Sequence, residues 1–290
     1  MKIQTMSIVV GDSSCNARCP FCVSKMTKNP SRTEYSYSDK YWRNFNVACK
    51  CAAMGGVSTI LLTGKGEPTL HAGLLFQHLD KLKDQPFPFI ELQTNGQTKF
   101  ATSKNFWEEL YARGLTTVAL SVVHYSDKRN KEIYFPHVPN KQMTPLDDLI
   151  EMIHSVGLTV RLTCMMLNGY IDCTSEIENL IAYCKYHKVK QLTIRPITAP
   201  ENSDNEISQW IHKHTLTDLQ IEIFFNYIKI HGTPVLKLAH GAVVYDYKGQ
   251  NICLANCLTT NADEEQMRQI ILFPDGTLGY DWKYTGAVLL

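Results

Sequence analysis

In its first two-thirds this chain alternates six short runs rich in Val, Ile, Leu and Thr with five amphipathic helical runs. The predicted strands fall at residues 6–10, 57–63, 89–93, 117–122, 159–165 and 191–195. Several are almost continuously apolar, as strands covered on both faces are. Helical patterns separate them at 38–54, 72–83, 103–113, 146–155 and 175–187. Thr102-Ser103 ahead of Phe106, Trp107 and Leu110 is a helix start with an apolar face, and Gly114 and Gly157 stand where helices end in a left-handed residue. Repeated β/α alternation predicts an α/β fold with a parallel sheet, right-handed crossovers and helices outside. In barrels of this kind the chemistry sits on the loops that follow the strands.

The rhythm changes near residue 200. "APENSDNEIS" reads as a linker or loop, followed by a helix near 217–231 and by short strands with turn signals at "YKGQ" and "FPDGT". The expected organisation is therefore a β/α part over 1–200 and a C-terminal α+β extension over 201–290 that closes the barrel and adds to the substrate site. With 29 Lys+Arg against 28 Asp+Glu, the net charge of +1 lacks the broad positive surface by which proteins grip many phosphates, so extended nucleic-acid binding is not expected. The opening "MKIQTMSIVVGDSSC" has too short an apolar run for a signal-peptide core, and no stretch is long enough to cross a bilayer. The expected location is the cytoplasm, where thiols stay reduced, so the ten cysteines are not a disulfide framework.

Three of those cysteines stand in "SSCNARCPFC", just after the first strand: Cys15, Cys19 and Cys22. A zinc knuckle uses paired C-x2-C units to reach four ligands, and here only Cys19 and Cys22 form such a pair. A C-x-C at Cys49 and Cys51, near the end of a helical run, matches a fourth ligand poorly. Iron–sulfur sites take closely spaced thiolates from a loop, and a cubane with three protein ligands leaves one iron open. Polar and glycine residues collect at the other strand ends too: "TGKGEP" after the second, "QTNG" after the third, Ser121 and His124 at the fourth, Arg161 on the fifth and Arg195 on the sixth.

C-x3-C-x2-C after a first strand, with Phe21 before the last cysteine, resembles the radical S-adenosylmethionine (SAM) enzymes, and the resemblance implies that Phe21 contacts the cofactor. The resemblance covers about residues 1–199 and implies a partial (β/α)6 barrel. It also implies a [4Fe-4S] cluster on Cys15, Cys19 and Cys22, with SAM chelating the remaining iron. Reduction of the cluster then cleaves SAM to a 5′-deoxyadenosyl radical that takes hydrogen from a substrate. "GKGEP" is similar to the family's GGEP motif, which assigns Gly64, Gly66 and Glu67 to the methionine end of SAM. Asn95 resembles the residue that binds the SAM ribose, Ser121 and Arg161 the pair that binds its carboxylate, and Arg195 an arginine on the sixth strand of the molybdenum-cofactor cyclase branch. That branch's glycine-rich tail and C-terminal cysteine set are missing, so its particular reaction is not expected.

The resemblance implies an organic substrate (a small molecule, a nucleotide or a peptide) and an electron donor such as flavodoxin or ferredoxin. Within the family a glycyl-radical activase is an alternative; outside it, a non-enzymatic zinc or electron-transfer module is. Candidates for a later proton or hydrogen step are His124, Tyr245, Cys257 and Tyr280. Cys253 and Cys257 are too few for an auxiliary cluster, and Cys164, Cys173 and Cys184 read as small buried hydrophobes.

Overall fold

The computed structural model describes residues 2–26, 37–138, 140, 142–199, 205–238, 241–255, 266–282 and 284–290. Its centre is a run of parallel strands, β1 (Lys2–Val9), β2 (Thr59–Thr63), β3 (Phe89–Thr94), β4 (Thr117–Val122), β5 (Thr159–Met166) and β6 (Gln191–Pro196), paired in that order. The segments between them carry the short α1 (Val23–Met26), then α2 (Asp39–Met54), α3 (Ala72–Leu82), α4 (Lys104–Ala112), α5 (Asp127–Tyr134), α6 (Leu146–Ser155) and α7 (Thr174–Tyr186). All six predicted strands and all five predicted helices are present, with ends shifted by a few residues. Gly114 and Gly157 adopt φ of +94° and +93°, as helix-ending glycines do.

The two faces of the sheet differ in a way that alternation along β5 makes plain. Val160, Leu162, Cys164 and Met166 are buried and share one apolar cluster with Leu149, Ile150 and Ile153 of α6 and Leu180 and Ile181 of α7. Thr159, Arg161, Thr163 and Met165, pointing the other way, are only half-buried. The helix-side face is thus the core, and the opposite, inner face is polar and partly open.

The extension holds α8 (Glu206–His214), α9 (Asp218–His231), β7 (Thr233–Lys237), β8 (Val243–Tyr247), β9 (Gln250–Leu254), β10 (Gln266–Leu272) and β11 (Leu278–Gly279). Its strands join the same sheet, in the order β11-β10-β1-β2-β3-β4-β5-β6-β9-β8-β7. β10 lies parallel to β1, and β9 lies parallel to β6, so the sheet is lengthened at both edges. Both turn signals are hairpins: Lys248 and Gly249 take φ of 51° and 86° between β8 and β9, and Gly276 takes 83° between β10 and β11.

Three local expectations change. α8 begins at Glu206, inside the stretch read as linker, with the Asn205 side chain accepting from the Ser208 amide. α5, in "DKRNKEIY", went unread because its buried face is Asn130, Ile133 and Tyr134 rather than an apolar stripe. β1 starts at Lys2 rather than residue 6, because Lys2 and Ile3 pair with Gln266 and Met267 from the far end of the chain. Among the described residues, no helix is long and apolar enough to cross a membrane.

Candidate active site

The cysteine loop leaves β1 and is tied to the loops after β2 and β3 and to the end of α5. The Asn16 side-chain amide donates to the Gln97 carbonyl at 2.9 Å, and the Arg18 amide donates to the Tyr134 carbonyl at 2.9 Å. The Glu67 amide donates to the Ser14 carbonyl at 2.9 Å. Phe21 anchors the loop from below: it packs among Ala17, Val123, Phe135, Leu167, Ile197 and Ile211, with its ring 6.1 Å from that of Trp210. The ring read as a cofactor contact is therefore built into the protein.

Cys15 is exposed, while Cys19 and Cys22 are half-buried. Burial pushes the Cys19 thiol up to about 12, and the charges of Cys22 and Cys15 add to that rise. Burial also raises Cys15, with Glu67 and Cys22 contributing. The three thiols thus lie within electrostatic reach of one another, and a cation centre that binds thiolates would offset the cost of ionising them together. Among the described residues, no three of His, Cys, Asp and Glu converge on the point a single metal ion would need. A multi-iron cluster accepts thiolates set farther apart than one tetrahedral zinc does, with its sulfurs about 2.3 Å from a common centre. Near Cys19 the Tyr134 hydroxyl is buried with no hydrogen-bond partner among the described residues, a donor suited to a cluster sulfur. The donor set fits an iron–sulfur group.

The "GKGEP" loop is shaped by its contact with the cysteine loop. A Cβ on Gly66 would lie 1.9 Å from the Ser14 carbonyl oxygen, so the glycine serves the approach of two protein loops. Glu67 is buried, and its carboxylate accepts from the Thr69 amide at 3.0 Å, the Thr69 hydroxyl at 2.7 Å, the Thr94 hydroxyl at 2.5 Å and the Asn95 amide at 2.9 Å. Its side chain thus fastens the end of β3 rather than facing a ligand, which leaves backbone carbonyls of the loop for an ammonium. Desolvation still holds its pKa above the ordinary carboxylate value. Lys65, also buried, lies over the Trp282 ring at 5.6 Å, which joins this loop to the chain after β11.

Asn95 donates to the Asn16 side chain at 2.8 Å and lines a narrow cleft together with Ser121, Leu120, Val122 and Tyr134. Ser121 and Arg161 stand diagonally on neighbouring strands. Ser121 is in register with Thr163, and Arg161 with Ala119, two residues nearer the start of the strands. The Arg161 guanidinium donates to Glu91 at 2.7 Å. Arg195 stands in register with Met165, two residues past Thr163 on the same face.

The candidates for a later step separate. His124 is buried; its Nδ1 accepts from the Ser126 amide at 3.0 Å and its Nε2 meets Glu176 of α7 at 3.4 Å, so it pins the β4–α5 turn. Tyr245 is in the core cluster with Phe224 and Ile228 of α9. Tyr280 is exposed beyond β11. Cys257 lies outside the described residues. Of the cysteines read as buried hydrophobes, Cys164 and Cys184 are buried, whereas Cys173 is exposed as the residue capping α7.

A helix-backed parallel sheet with a three-cysteine loop strapped to a glycine-rich loop at its strand ends places the chain in the partial-barrel class of α/β enzymes. The family model described as the radical SAM superfamily matches residues 13–184, and the chain belongs to that superfamily. It is a radical SAM enzyme by family, and membership implies a [4Fe-4S] cluster and SAM. No curated protein matches it.

Among solved structures it is similar to Streptococcus suis SuiB bound to the precursor peptide SuiA, at 16% identity and a TM-score of 0.60, covering 96% of this chain and 59% of that one. It is also similar to anSMEcpe with bound AdoMet and Kp18Cys peptide, at 14% identity and a TM-score of 0.63, covering 98% and 75%. A radical SAM methyltransferase from Sphaerobacter thermophilus matches at 15% identity and a TM-score of 0.55, covering 86% and 66%. The chain spans about three-fifths of the length of the SuiB chains it matches.

Proposed function

We propose that Cys15, Cys19 and Cys22 hold the cluster, and that the cleft beside Asn95 and Ser121 together with the "GKGEP" backbone holds SAM. The observation that carries this reading is the strap between the two motif loops, the Ser14–Glu67 hydrogen bond at 2.9 Å over a Gly66 that admits no side chain. Bound there, the cluster and SAM supply a 5′-deoxyadenosyl radical for hydrogen abstraction.

The protein's part is placement and protection. Glu67 fixes the β3 end and with it the Asn95 amide, and Phe21 keeps the cysteine loop seated above the strand ends. The substrate, an organic small molecule, nucleotide or peptide, takes the inner face of the sheet, where polar side chains line β3 to β6; two of the similar structures carry peptides. Residues 201–290 widen that face at both edges and contribute to the substrate site. Excluding water there protects a carbon radical from side reactions. The reducing electron comes from a cytoplasmic donor of the flavodoxin or ferredoxin kind.

Anaerobic reconstitution with iron and sulfide, followed by EPR of the reduced protein with and without SAM, tests the reading. A cubane signal that changes with SAM, with 5′-deoxyadenosine formed in the same tubes, is the expected result. Tightly held zinc, no iron signal and no SAM effect would refute it.

A further inference from the structure

The inner face near β5, β6 and β9 carries more positive charge than the protein neutralises. Thr163 of β5, Thr193 of β6 and Cys253 of β9 are in register and point to that face. Arg161 stands two residues before them on β5, and Arg195 two residues after them on β6. Both guanidiniums act on the Cys253 thiol: burial raises its pKa, and Arg195 and then Arg161 lower it. The two long side chains thus flank this stretch of the face, one on each side of the Thr163–Thr193–Cys253 row, and both lie within electrostatic reach of Cys253.

Their partners are unequal. Arg161 holds Glu91, which also accepts from Gln93 at 3.1 Å. Arg195 meets no carboxylate among the described residues. The Nε atoms of both arginines are buried without a hydrogen-bond partner among the described residues. Buried polar groups are nearly always paired, and a planar guanidinium fork matches a carboxylate or a phosphate best. The hydroxyls of Thr163 and Thr193, between the two arginines in register, are suited to the same kind of group.

We propose that this stretch of β5, β6 and β9 binds an anionic group of the substrate, a carboxylate or a phosphate, gripped by Arg195 with Arg161 beside it. The proposal deepens the radical reading and rests on it for the word substrate. It moves Arg195 from the cofactor to the molecule being modified, and orients that molecule by a charge on β5 and β6, three and four strands across the sheet from the β2 that leads into the "GKGEP" loop.

Calorimetric titration of the cluster-loaded protein tests it, with inorganic pyrophosphate and succinate as probes, each with and without saturating SAM. Saturable binding of one probe in the roughly millimolar range is expected, undiminished by SAM, and the preferred probe tells phosphate from carboxylate. Arg195→Gln weakens that binding by at least about tenfold. Cys253→Asp does the same while keeping both arginines, because its carboxylate occupies them, so the outcome does not hang on one variant's folding. Lys104→Gln, at an exposed helical site, binds as the parent does.

Binding of neither probe, equal binding in the Arg195→Gln and Cys253→Asp variants, or displacement of the probe by SAM would each overturn the proposal. In the last case the arginines serve the cofactor. Because the titration is read without SAM as well, failure of the SAM response and failure of the anion site are seen separately.

Discussion

The amide of Glu67 donates to the carbonyl of Ser14 at 2.9 Å, and this one bond couples two motifs that lie about fifty residues apart in sequence. The contact depends on Gly66, whose missing side chain gives Ser14 its place.

Gly66→Ala forces a carbon to 1.9 Å from a backbone oxygen, which must move. Overpacking of this kind costs about 1–3 kcal/mol, and here the yielding element is the cysteine loop. The variant unfolds at lower temperature and retains less iron and sulfide per chain after reconstitution. Full iron content at an unchanged melting temperature would show that the strap is dispensable.

Glu67→Gln exchanges an acceptor-only carboxylate for an amide whose NH2 must face donors from Thr69, Thr94 or Asn95. Charge-assisted bonds of this sort contribute about 1.5–3 kcal/mol, so a loss of about 2 kcal/mol is expected in urea unfolding, with SAM affinity weakened through the shifted β3 end. Stability within a few tenths of the parent would contradict the buried knot.

Replacing Cys15, Cys19 or Cys22 by Ala abolishes stable cluster loading, whereas Cys49→Ala and Cys184→Ala, both in the core, leave iron stoichiometry intact and lower stability only. Iron analysis and EPR on the five variants separate the two groups. Cluster loss in a core variant at normal stability would mean that the ligand set is misassigned.

His78 is buried among Tyr37, Tyr41, Trp42 and Phe45; its Nδ1 donates to the Leu74 carbonyl at 2.7 Å and its Nε2 accepts from the Tyr41 hydroxyl at 2.6 Å. The bond from the Tyr41 hydroxyl requires the neutral ring, and burial pulls its pKa down from 6.5 to about 4 even though the Leu74 carbonyl favours the protonated form. The unfolded chain therefore binds this proton first. Stability from this residue is full above pH 6.5 and falls as pH drops toward 4, by about 3 kcal/mol in all. His78→Phe, which also leaves Tyr41 without its acceptor, is less stable at pH 7.5 but flattens the fall between pH 6.5 and 4.5. An equal acid slope in parent and variant, measured by chemical unfolding across that window, would refute the assignment.

Strand and helix existence was readable because it is local. Alternating burial along β5, the cap at Ser38 before α2 and the left-handed glycines at 114 and 157 are each written within a few residues. α5 escaped because a helix that buries an asparagine and a tyrosine shows little apolar period. Polar residues at the strand ends were likewise recognisable by type, yet type did not assign their work. Glu67 and Phe21 read as ligand contacts and also hold loops in place, and Ser121 and Arg161, read as a pair, stand diagonally across two strands, an offset that only the register reveals.

The sequence by itself determined the alternation of strands and helices, the polar loops at one end of the sheet and the three-cysteine spacing, all set by contacts between near neighbours in the chain. Tertiary structure alone decided that β10 would pair with β1, that β9 would lie beside β6, and that Arg195, Arg161 and Cys253 would share one face. Those outcomes depend on register between strands separated by up to 260 or so residues, and register is fixed by which faces find a core together, a property of the whole fold rather than of any stretch within it.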